Sequence, residues 1–125
     1  ILEWLRTNHF IDEERYVRHF VADKTEFLGK GPFMLRRELR LKGVSDEAIE
    51  RELATIPDDK WIDLLERYLA PRLERYRKKA KSSYDLRRRL MTAAYGRGYP
   101  SEITEEVLRE MDLTVEGGDE ERWYE

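Results

Sequence analysis

Along the chain, apolar residues return every three or four positions and never alternate for long, a period that predicts helices almost everywhere and no strand. Ile1 to Asn8 reads as the end of one helix, and Asp12 is suited to accept from the first free amides of the next. That next helix is expected to reach about Phe27, with an inner stripe of Tyr16, Val17, Phe20 and Val21 and with Phe27 closing its end. Gly29 and Gly31 break it, and Pro32 stands where a first helical residue is favoured. Leu35, Leu39 and Leu41 supply the second apolar face as far as Gly43, which suits a left-handed C-terminal cap. Ser45 opens a third helix, with Asp46 and Glu47 complementing its dipole and Ile49, Leu53 and Ile56 on one side, and Pro57 ends it.

The same order then recurs. A longer helix is predicted from about Asp59 through Trp61, Leu64, Leu65, Tyr68, Leu69, Leu73 and Tyr76, with Pro71 kinking or dividing it. Ser82 with Asp85 makes a capping-box-like start for a helix carrying Leu86 and Leu90, which Gly96 or Gly98 stops. Ser101 starts the last helix, whose buried side is expected to be Ile103, Val107, Leu108 and Met111. Leu35 to Leu39 aligns with Leu86 to Leu90, Gly43 with Gly98, and Ile49 with Ile103. One such unit cannot bury its stripes alone, so the expected fold is all-α: tandem three-helix repeats stacked into an elongated, curved helical domain. The expected boundaries are the end of a truncated first repeat at 1–8, three-helix repeats at 12–56 and 58–111, and an acidic tail at 112–125 with a flexible Gly117-Gly118 joint. Because the chain opens with Ile1 inside a helix pattern, it reads as part of a longer protein.

Composition narrows the function classes. With no cysteine there is neither a disulfide framework nor a zinc-ribbon spacing, which suits the cytoplasm as the expected compartment. No apolar run approaches the roughly 20 residues that span a bilayer. An enzyme is not expected: there is no glycine-rich phosphate loop or metal-ligand spacing, and the two histidines, His9 and His19, lie apart from any nucleophile or acid pair. No catalytic, cofactor or metal residue is assigned. The net charge of −3 conceals segregated blocks. Residues 45–66 hold two basic and eight acidic side chains, residues 67–97 hold eleven and two, and residues 101–125 hold two and ten.

The run FIDEERYVRHFVADKTEFLGKGPFMLRRELRLKGVSDEAIEREL resembles the central repeat of the RecX family, bacterial regulators of the RecA recombinase. The resemblance is carried by Phe10, Ile11, Asp12, Arg15, Tyr16 and Phe20, then by Gly29, Gly31, Pro32, Leu35, Glu38, Leu39, Gly43, Ile49 and Leu53. The later unit matches more weakly, at Leu86, Leu90, Gly98, Tyr99, Ile103 and Val107, with three extra residues between leucine and isoleucine. Arg97-Gly98-Tyr99 stands where the family often has a basic residue, Gly and an aromatic. Most of the family's first repeat is absent. The resemblance implies a non-enzyme that binds the RecA filament along its groove near the DNA and suppresses recombinase, ATPase and coprotease activities, in recombination, DNA repair and the SOS response. The implied partners are the RecA filament and single- or double-stranded DNA, with no membrane and no small-molecule substrate.

Two cationic stretches fit phosphate. Arg72, Arg75, Arg77, Lys78, Lys79, Lys81, Arg87, Arg88 and Arg89 form the denser one, with Tyr76 and Tyr84 among them, and Arg36, Arg37, Arg40 and Lys42 form the second. The bland alternatives are core packing for the two tyrosines, which is favoured, and an exposed face balanced by nearby acidic helices for the arginines. Glu38 reads as an ion-pair partner. Two other functions stay in view: a helical interaction scaffold without nucleic-acid binding, and a helix-turn-helix transcription regulator. The second is disfavoured by charge, because the would-be recognition helices carry Asp46, Glu47, Glu50 and Glu52, and Glu102, Glu105, Glu106 and Glu110, which phosphates repel. The tail, with Asp119, Glu120, Glu121 and Glu125 around Trp123 and Tyr124, either solubilises the end or folds back to mask the basic helices.

Overall fold

The computed structural model describes residues 10–116, and within them the backbone is helical with no strand. Six helices follow one another: α1 (Phe10–Leu28), α2 (Pro32–Leu41), α3 (Asp46–Leu53), α4 (Asp58–Lys79), α5 (Ser83–Gly96) and α6 (Ser101–Arg109). They associate in two sets of three. α1, α2 and α3 pack on one another, as do α4, α5 and α6, and the long opening helix of each set lies against its third. The expectations for Ile1 to Asn8 and for the tail from Gly117 onward lie outside the described residues.

Both sets turn after their second helix in the same way. Gly43 and Gly98 have φ of 87° and 88°, a conformation that Cβ-bearing residues adopt only under strain. In each turn the glycine amide donates three residues back, Gly43 to Arg40 and Gly98 to Tyr95, and the next amide donates five residues back, Val44 to Leu39 and Tyr99 to Ala94. This pair of bonds is the Schellman closure, and it explains why glycine stands at the matching position of each unit. Side chains at matching positions fill one core: Leu35, Leu39 and Ile49 in the first set and Leu86, Leu90 and Ile103 in the second are all buried. Each such side chain contributes roughly 2 kcal/mol on leaving water. Val17 and Val21 of α1 and Trp61, Leu64, Leu65 and Leu69 of α4 close the two sets.

The sets are joined through backbone. Gly31, the N-cap of α2, has no side chain to cap the helix, and its amide donates instead to the carbonyl of Arg97 at 2.7 Å. The amide of Phe33 donates to the carbonyl of Gly98 at 2.9 Å. Amides left without partners by helix geometry at the start of α2 are thus satisfied by the α5–α6 turn of the other set. Contact this close requires the absence of a side chain on both sides of the junction: a Cβ on Gly31 would lie 2.8 Å from the Gly98 carbonyl carbon, and one on Gly98 would lie 2.4 Å from the Met34 amide nitrogen. Tyr99 is buried behind this contact, edge-on to Trp61 with ring centroids 6.1 Å apart.

Several local expectations are corrected. The chain is already helical at Phe10, so Asp12 lies within α1 and not at its cap. Phe27 does not close the core; it is 82% exposed, two residues before the turn at Gly29. Leu41 is 79% exposed, since two residues beyond Leu39 lies on the opposite side of a helix. α3 ends at Leu53 and Pro57 caps α4 instead of ending α3. α4 runs unbroken through Pro71, which is exposed, so water can take the hydrogen bond that proline cannot make.

Candidate nucleic-acid interface

The second helices present their arginines to the acidic third helices. Arg36 on α2 donates through Nε and Nη2 to the two carboxylate oxygens of Glu50 on α3, at 2.7 and 3.1 Å. Arg40 donates to Asp46 at 2.8 Å, and this bond raises the guanidinium further above its ordinary range. In the other set Arg87 on α5 donates to Glu105 on α6. Arg88 and Arg89 both reach Asp85 at 3.1 Å, and Asp85 also accepts the Lys81 amide at 3.0 Å. These donors, the Lys81 amide first, hold the Asp85 carboxyl down at about 2. Ser82 meanwhile caps α5 by accepting the Asp85 amide, and Ser45 caps α3 by accepting that of Ala48.

A phosphate meeting Arg36, Arg40, Arg87, Arg88 or Arg89 must therefore compete with a carboxylate already in place. The cations at the end of α4 have no such competitor. Arg75, Lys78 and Lys79 on α4, and Lys81 just beyond it, are exposed and form no ion pair among the described residues; the same holds for Arg37 and Lys42 on the first set. Arg75 lies over the Tyr76 ring at 5.4 Å, and Lys42 over Phe20 at 5.9 Å. Arg72 is half-buried, stacked on the Tyr68 ring at 3.7 Å and donating to the Tyr68 carbonyl at 2.7 Å. Among the described residues the structure thus divides these cations into a neutralised group, Arg36, Arg40, Arg87, Arg88 and Arg89, and an unpaired group centred on the last turns of α4, with Arg37 and Lys42 on the first set. Tyr76 packs against the core, whereas Tyr84 is 67% exposed and not in the core.

Other charges have structural duties. Glu38 pairs with Lys30 at 2.7 Å, and Arg51 with Glu14. Arg77 pairs with Glu74 at 3.2 Å and donates to the carbonyls of Asp112 and Thr114, so the chain leaving α6 is fastened to the end of α4. Sequence patterns missed Glu13, a buried carboxylate that accepts the Ser45 amide at 2.8 Å across 32 residues. They also missed Arg97, which lies over the Tyr68 ring, and Arg67, which pairs with Glu26 and Asp63; the basic residue, Gly and aromatic at 97–99 were the only signal. Among the described residues no helix is long and apolar enough to cross a membrane, and no three acidic or histidine side chains are grouped to hold a metal ion.

Comparison with known proteins agrees with this architecture. Residues 12–53 match the family model of the second three-helix domain of RecX. The chain is 29% identical over 102 residues to the regulatory protein RecX of Lactobacillus delbrueckii subsp. bulgaricus, covering 82% of this chain and 37% of that protein. It is 29% identical over 111 residues to the regulatory protein RecX of a Geobacillus species, covering 86% and 39%, and 28% identical over 123 residues to that of Halalkalibacterium halodurans, covering 98% and 45%. The chain thus spans less than half the length of these relatives. No solved structure matches it. Residues 12–53 thus match the second three-helix domain of RecX, and similarity to RecX regulatory proteins extends across most of the chain.

Proposed function

We propose that this chain binds the RecA filament together with its DNA and restrains RecA activity in recombination and DNA repair, acting in the cytoplasm and without catalysis of its own. Similarity to RecX regulatory proteins supports the partner. The observation that carries DNA contact is the row of unpaired cations at the end of α4, Arg75, Lys78, Lys79 and Lys81, in a chain whose other helical arginines are largely tied to carboxylates. Unpaired cations displace the counterions of a phosphate backbone without first losing a partner, so they contribute most to affinity. Arg37 and Lys42 extend the positive surface to the first set. Arg36, Arg40 and Arg87, bonded to the third helices, and Arg88 and Arg89, bonded to Asp85, contribute less. A helix-turn-helix mode gains nothing from the geometry, because α3 and α6 present acidic side chains where a recognition helix meets phosphates.

Co-sedimentation tests this reading. The chain should pellet with RecA assembled on single-stranded DNA in the presence of a nonhydrolysable nucleotide, and pellet poorly with unassembled RecA. Equal recovery with and without filaments contradicts filament recognition, and recovery with filaments that ignores Lys78→Glu/Lys79→Glu/Lys81→Glu favours a scaffold that touches protein alone.

A further inference from the structure

A cleft of about 340 Å³ lies where the end of α1 meets α4 and the α5–α6 turn, and Phe27, Arg67, Tyr68, Arg72 and Arg97 line it. Its chemistry differs from that of the surrounding surface. The guanidiniums of Arg72 and Arg97 are held over the Tyr68 ring, 3.7 and 5.1 Å from its centroid, and neither forms an ion pair among the described residues. Arg72 is fixed a second time by its bond to the Tyr68 carbonyl. The carboxylate at the rim, Glu26, is already engaged by Lys60 at 3.1 Å and by Arg67 at 3.6 Å, which hold it below the usual carboxylate range. Phe27 stands at the mouth with most of its ring in water. A helix end gains nothing in stability from an aromatic so placed.

We infer that this cleft holds one nucleotide of an unpaired strand, its phosphate on the guanidiniums of Arg72 and Arg97 and its base stacked on Phe27. A guanidinium offers a planar fork of donors that matches phosphate oxygens, and stacking on Tyr68 fixes the fork without neutralising it. An exposed aromatic ring beside such donors is the platform that single-strand binders use, tolerant of sequence because every base has a π-face. The cleft is at the small end of ligand-site volumes, room for one base with its phosphate and too narrow for a duplex. The inference rests on the nucleic-acid reading above and narrows it to an unpaired strand at one place.

The test compares wild type, Phe27→Ala and Leu41→Ala by fluorescence anisotropy, with a short labelled oligothymidine and with a duplex of equal length at fixed salt. Phe27 is exposed, so its loss leaves the core intact; Leu41 is an exposed apolar control outside the cleft. Phe27→Ala should weaken oligothymidine binding roughly 5- to 100-fold, leave duplex binding unchanged and leave the salt slope unchanged, since no charge is removed. Arg72→Gln and Arg97→Gln should each flatten the single-strand salt slope by about 0.7. Weakening on both nucleic acids alike, or on neither, overturns the inference while leaving the function intact if wild type still binds filament and DNA. Absence of any nucleic-acid binding by wild type overturns the broader proposal as well. Competition by free thymidine monophosphate that Phe27→Ala abolishes assigns the cleft to a free nucleotide and overturns the strand. Competition by a polyglutamate peptide that Phe27→Ala does not alter assigns it to acidic protein.

Discussion

Gly31 and Gly98, far apart in sequence, meet backbone to backbone, and their contact is where the two sets of three helices are joined. The N-cap of α2 has no side chain to satisfy its amides, and the α5–α6 turn supplies the carbonyls in its place. Because the bond partners belong to different sets, stability of one is tied to the correct closure of the other.

Substitution of these glycines tests that coupling. Gly98→Ala combines positive φ with a Cβ placed 2.4 Å from the Met34 amide, and should cost roughly 3 kcal/mol or more. Gly31→Ala has an ordinary backbone and suffers only the clash, an expected loss of roughly 1–3 kcal/mol. Gly96→Ala meets nothing within 4 Å at the end of α5 and should be neutral or stabilising by up to about 1 kcal/mol. Urea unfolding of the three variants checks the order.

Asp85 predicts an acid-dependent loss of stability. Its carboxyl is held at about 2 in the folded chain by the Lys81 amide, Arg89 and Arg88, against an ordinary 3.8. A lowered folded pKa means that the ionised form stabilises the fold at pH above 3.8, and that this contribution fades as pH falls from there toward 2. Asp85→Asn should therefore lower the unfolding midpoint at neutral pH, and its gap from wild type should shrink between pH 5 and pH 3. A gap that stays constant over that range contradicts the assignment.

Tyr99 carries a buried hydroxyl with no hydrogen-bond partner among the described residues, and burial raises its pKa above the usual tyrosine range. A buried polar group left unsatisfied costs roughly 1–3 kcal/mol, so Tyr99→Phe, which keeps the ring against Trp61, should stabilise the chain by about 1 kcal/mol. Calorimetry should show a melting temperature higher by roughly 3–5 °C. A lower melting temperature means that the hydroxyl has a partner in solution.

The repeat was legible because its determinants are local. Leucine spacing set the second helices, Ser45 and Ser82 capped the helices that follow them, and glycine marked both Schellman turns, so these features stand in the structure as the periodicity predicts. What the pattern did not show depends on residues distant in sequence. Helical periodicity cannot tell that Phe27 is left exposed near the end of α1, or that Glu13 bonds the start of α3. The cationic stretches were visible as composition, but only the fold pairs Arg36 with Glu50 and Arg87 with Glu105 while leaving Lys78, Lys79 and Lys81 without an ion pair among the described residues. The ring of Tyr68 between two arginines was hidden for the same reason, since Arg97 arrives from another helix turn.

The proposed function turns on which cations meet phosphate, and the salt dependence of DNA affinity reads this directly. Lys78→Gln/Lys79→Gln/Lys81→Gln should flatten the slope of log affinity against log salt by roughly 2 to 3, at about 0.7–0.9 for each phosphate no longer neutralised, whereas Arg36→Gln/Arg40→Gln should change it by less than about one. An unchanged slope in the lysine variant, or a larger change in the arginine variant, contradicts the account.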